Sequence, residues 1–127
     1  MDLSIVKIAN AHEDNERLII RVENDCDLGW YMVFDSTYDE QGIQSNKLRH
    51  LYILPSLKVA KGDYIWIHTC KGEYHTHDNT SKTKTHNLYW GLDSKVWNND
   101  KDKAYLVKYS DWVSKVVVTP DMNCEKR

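Results

Sequence analysis

The feature that most constrains this chain is a series of short segments in which apolar and polar residues alternate, with turn residues between them and no helical stripe. Period-two alternation puts every second side chain on one face of a strand, whereas a helix buries residues spaced three and four apart. Leu18, Ile20 and Val22 share one face, with Arg21 and Glu23 on the other. Trp30, Met32 and Phe34 alternate with Tyr31, Val33 and Asp35, and apolar residues on both faces suit a central strand. After the turn Lys61-Gly62-Asp63, Ile65 and Ile67 point one way while Tyr64, Trp66 and His68 point the other. Residues 3–9, 51–54, 88–91, 96–97, 104–109 and 112–118 supply further candidates, and Pro55, which cannot donate to a ladder, stops one of them. Seven to nine short strands without intervening helices exclude a parallel βαβ architecture and predict an all-β antiparallel sandwich. Trp30, Ile20, Val22, Ile65, Ile67 and Leu106 are its expected core.

The breaks between strands are polar. Residues 36–47 contain Gly42 and read as a loop. Residues 71–87 are Thr- and His-rich and nearly free of aliphatics, which predicts a long mobile loop. A chain of 127 residues is close to the usual size of one domain, here expected over residues 1–119, with 120–127 a disordered tail.

Charge narrows the partners. The 17 basic and 19 acidic residues leave a net charge of −2, without the basic excess on which phosphate-backbone binding depends, so a nucleic-acid binder is not expected. No segment approaches the ~20 apolar residues of a membrane helix, and the first residues lack a secretory signal's charged-then-apolar order. Cys26, Cys70 and Cys124 are odd in number and widely spaced, which suits reduced thiols in a cytoplasmic protein better than a disulfide framework.

Three ordered segments resemble the lamin-tail domain, an immunoglobulin-like sandwich found also in bacterial proteins. The first runs Leu18-Ile-Ile-Arg-Val-Glu-Asn24 and then Leu28-Gly-Trp-Tyr-Met32. The second is His50-Leu-Tyr-Ile-Leu-Pro55 with Leu57 and Lys61-Gly-Asp-Tyr-Ile-Trp-Ile-His-Thr69. The third comprises Leu88-Tyr-Trp-Gly91, Val96-Trp-Asn-Asn99 and Asp102-Lys-Ala-Tyr-Leu106. The resemblance implies an immunoglobulin-like fold and a role in recognition or assembly. The shared positions carry structural reasons as well: Gly29 and Gly62 suit tight turns, and Asn98, Asn99 and Asp102 suit side-chain satisfaction of a turn's backbone.

Two constellations could carry chemistry. His68, Cys70, His75, His77 and His86 combine four imidazoles and a thiol that could surround a divalent metal, as in a metal-dependent hydrolase or sensor. Their spacing matches no established metal motif, and a solvated His-rich loop explains them as well. Cys70 with His68 or His86 could form a nucleophilic dyad, yet no cysteine-enzyme signature surrounds it. No phosphate loop, nucleophile elbow or dinucleotide fingerprint is present, and no cofactor is implied. The second constellation is aromatic display. Tyr64, Trp66 and His68 should face outward, with Trp90 and Trp97 extending the same surface. The expected function is therefore a non-catalytic module binding a protein partner or itself, with metal binding and carbohydrate binding through stacked aromatics as the alternatives.

Overall fold

The structure is a computed structural model that describes residues 1–36, 50–97 and 102–117. It is all-β. Ten strands are present among the described residues: β1 (Leu3–Ala9), β2 (Arg17–Val22), β3 (Cys26–Asp27), β4 (Tyr31–Ser36), β5 (Leu51–Ile53), β6 (Lys58–Val59), β7 (Tyr64–His68), β8 (His75–Asp78), β9 (Lys84–Tyr89) and β10 (Lys103–Lys108). They form a five-stranded sheet in the order β1-β2-β7-β9-β8, a three-stranded sheet β10-β4-β5 and a short pair β3-β6. As its apolar faces suggest, β4 is the central strand of its sheet.

Alternation decides what is buried. In β7, Ile65 and Ile67 are buried while Tyr64, Trp66 and His68 are half-buried on the opposite face. Leu18, Ile20 and Val22 lie beside the two isoleucines, with register pairs Ile20 to Ile65 and Leu18 to Ile67. Tyr31 and Val33 of β4 reach the same core, as do Leu28, Leu54, Leu88, Val96 and Trp97. Each buried aliphatic contributes about 1.5–3 kcal/mol relative to exposure. Gly62 sits at φ +93° in the turn entering β7, where a side chain would be strained.

The sheet departs from the sequence expectation in several places. It is not wholly antiparallel, because β7 and β9 run parallel, from Tyr64 opposite Thr85 to His68 opposite Tyr89. The expected loop over residues 71–87 holds β8 and the first four residues of β9, a hairpin closed by Asn79 and Thr83 around Thr80-Ser81-Lys82. Lys82 takes the left-handed conformation there (φ 65°) without a glycine to announce it. Residues 112–117 form no strand with the described residues and are exposed, since β-propensity gives a strand only where an edge offers partners. Val96 and Trp97 are held by a side chain rather than a ladder. The carboxylate of Glu16, itself buried, accepts the N–H of Val96 at 2.8 Å, of Trp97 at 3.1 Å and of His12 at 2.7 Å.

Trp30 is 42% exposed, not a core residue: it lies in a short 3-10 turn (Leu28–Trp30) that rotates it out against Tyr109. Gly29, in the same turn, is needed for close approach rather than for positive φ. A Cβ there would meet Asp27 Oδ1 and the Ser56 backbone, each at 3.1 Å. The expected tail over 120–127, with Asn98, Asn99 and Cys124, lies outside the described residues.

Candidate binding face

The outward sides of β2, β7, β9 and β8 form one surface. Register places Arg17 beside His68 and Tyr89, Ile19 beside Trp66, Asn87 and His75, and Arg21 beside Tyr64, Thr85 and His77. Planar groups then meet in an unbroken run. His77 packs edge-on against Trp66 with centroids 5.2 Å apart, and Trp66 meets His68 at 6.2 Å. His68 stacks on Tyr89 at 4.6 Å, and Tyr89 on His75 at 5.9 Å. The Arg17 guanidinium covers one side of Trp66 at 4.5 Å from the ring centre. Arg21 reaches the Tyr64 hydroxyl at 3.3 Å. Beside this run lies a depression of about 290 Å³ lined by Ile19, Tyr64, Trp66, Asn79 and Thr85.

Asn87 knits the run together. Its Oδ1 lies 2.8 Å from His68 Nε2, and its Nδ2 lies 3.1 Å from His77 Nδ1. Asn87 is buried, while His68 is half-buried and His77 exposed, so the amide sits at the inner edge of the surface. Burial pushes the His68 pKa below its ordinary value, with help from the Arg17 and His75 charges, although the Asn87 hydrogen bond opposes the shift. His68 is therefore neutral at neutral pH.

The remaining sequence candidates separate. Trp97 is 2% exposed, and Trp90 is half-buried against it, edge-on at 6.0 Å. Both belong to the interior, so neither extends the surface of Tyr64, Trp66 and His68. His75 and His77 join that surface, while His86 faces the other way because it sits one position out of phase with Asn87. Cys70 is exposed beyond the end of β7. Among the described residues no three His, Cys, Asp or Glu side chains come together as a ligand set for a metal ion, and His86 lies on the opposite face from His68, His75 and His77.

His86 has other partners. Its Nε2 lies 2.9 Å from Asp63 Oδ2, and its Nδ1 lies 3.0 Å from the Tyr74 hydroxyl. Burial alone would raise the Asp63 pKa. His86 and the amides of Lys84 and Ala60 outweigh it, and the carboxyl titrates below its ordinary value. Asp63 thus fastens the turn before β7 to the start of β9. A cleft of about 580 Å³ opens beside it, lined in part by Cys26, Lys58 and Lys84. Burial, reinforced by Asp2, pushes the Cys26 thiol up, away from the thiolate a nucleophile needs.

Sequence reasoning missed Arg17 and Asn87 as members of the face. The alternation of Lys84-Thr-His-Asn-Leu-Tyr89 carried a signal, but its polar residues read as loop. Comparison of this chain with protein-family models, curated proteins and solved structures finds no match.

Proposed function

We propose that the chain is a non-catalytic, lamin-tail-like interaction module that docks a protein, either a partner or a second copy, on the outer face of β2, β7, β9 and β8. The observation that carries this reading is the run His77, Trp66, His68, Tyr89 and His75 on one sheet face. Rings already fixed by their neighbours offer contact area at small entropic cost, as interface aromatics do. The ordered Leu18–Asn24, Lys61–Thr69 and Val96–Asn99 motifs support the family resemblance.

The test compares wild type with Trp66→Ala by sedimentation and by capture of binding proteins from the native cell, beside a melting curve for each. Loss of association with little change in melting supports the face. Unchanged association, or a collapse in melting, sinks it. A second reading, a carbohydrate-binding module, is favoured by the depression that sets Tyr64 and Trp66 beside Asn79 and Thr85. Binding on a glycan array that Tyr64→Ala abolishes would select it.

A further inference from the structure

We propose that Asn87 makes His68 and His77 a proton-limited latch: the amide between the two imidazoles holds at most one protonated facing nitrogen, so acidification releases one ring and breaks the aromatic run. A side-chain amide offers one oxygen that accepts and one nitrogen with two N–H donors. As placed, Oδ1 faces His68 Nε2, while Nδ2 faces His77 Nδ1 and also donates to the His75 main-chain carbonyl at 3.4 Å, so His68 donates and His77 accepts. A proton on His77 Nδ1 would set N–H against N–H. Turning the amide over relieves His77 and imposes the same conflict on His68. In either orientation, two protonated facing nitrogens leave one bond broken, and Asn87 is too buried for water to replace it cheaply.

The surrounding charges do not rescue the doubly protonated state. The face carries Arg17 and Arg21 from β2, Tyr64 from β7, His75 from β8, Tyr89 from β9 and Lys7, which pairs with Ile19, from β1. Glu23 is joined to Arg21 at 3.5 Å, and Glu73 meets His75 through its main-chain carbonyl at 3.1 Å. Asp78, on the opposite phase of β8, pairs with Lys84. Among the described residues no carboxylate bonds His68, His75 or His77. Acid therefore converts a neutral ring surface into a cationic one while one ring leaves it. Resting on the docking reading above, this makes partner binding weaker in acid than at neutral pH.

The test is histidine-resolved NMR titration of the full chain in the absence of any partner. In wild type, His68 should titrate below the ordinary histidine range, and its midpoint should depend on whether His77 is present. His77→Ala, at an exposed site, should raise the His68 midpoint by roughly one pH unit, about the worth of one neutral hydrogen bond. Asn87→Asp, whose carboxylate accepts from the ring in place of the amide, should raise the His68 midpoint. Coupling that persists unchanged in Asn87→Ala, or a His68 midpoint indifferent to His77→Ala, overturns the latch; the exposed His77 variant decides the matter should the buried substitutions not fold. A latch that titrates as described on a face that captures nothing would sink the docking reading alone.

Discussion

The carboxylate of Glu16 accepts the main-chain N–H of Trp97, 81 positions further along the chain, at 3.1 Å. Glu16 ends the turn before β2, so this bond and its companions tie the β1–β2 hairpin to the segment that buries Trp97. Three backbone donors on one buried carboxylate are left without a partner when it is removed. Glu16→Ala should therefore cost about 3 kcal/mol or more in chemical denaturation. A loss below about 1 kcal/mol would show that water takes the carboxylate's place.

Ile67 reports the core. It is fully buried between Leu18 and Leu88 in the five-stranded sheet, and Ile67→Ala should cost about 2–5 kcal/mol. Far-UV circular dichroism of both proteins should be of the β type, and a helical spectrum would contradict the fold.

Acid should destabilise the protein in two steps. His68 has a folded-state pKa below its ordinary 6.5, so its contribution is complete above that pH and is lost as pH falls through the folded value. Asp63 is likewise lowered from 3.8, so its share persists to lower pH and disappears only as the carboxyl protonates. Melting temperature should fall first below about pH 6.5 and again below about pH 4. His68→Gln should flatten the first decline and leave the second. A first decline of equal size in that variant would remove His68 as its cause.

Hydrogen exchange separates β9 from β8. With β7 on one side and β8 on the other, β9 has both backbone edges paired, while β8 is the sheet's outer strand. Amides of His86 and Leu88 should exchange at rates near global unfolding, and those of β8 faster by orders of magnitude. Rapid exchange throughout residues 84–89 would restore the mobile loop that composition suggests.

How much of this was legible in the sequence depended on where each residue's partner lies. In β7 the alternation of Ile65 and Ile67 with Tyr64, Trp66 and His68 is local, so faces could be assigned from spacing alone. β8 is exposed on all four positions and shows no apolar phase, and the Asn79–Thr83 turn has no glycine. Nothing local marked that hairpin or the parallel pairing it permits. Glu16 with Trp97, and Asp63 with His86, bind across long separations in chain, and sequence offers only a charged residue at each place. Trp97 and Trp66 look alike as letters. Packing alone distinguishes the buried ring from the one on the surface.

That distinction predicts a contrast between two substitutions. Trp97→Ala should cost about 3–5 kcal/mol, whereas Trp66→Ala, on the outer face, should cost less than about 1.5 kcal/mol. Equal losses would place Trp66 in the core and remove the basis for the face.

The docking claim is tested most directly by site-specific photocrosslinking in the native cell, with a photoreactive residue at His75 on the face or at Ile5 on the outer strand at the other side of the sheet. A protein adduct should form from position 75, vanish in Trp66→Ala and be absent from position 5. Adducts of equal yield from both positions, or an adduct at 75 that Trp66→Ala leaves intact, would contradict the assignment of this face as the binding surface.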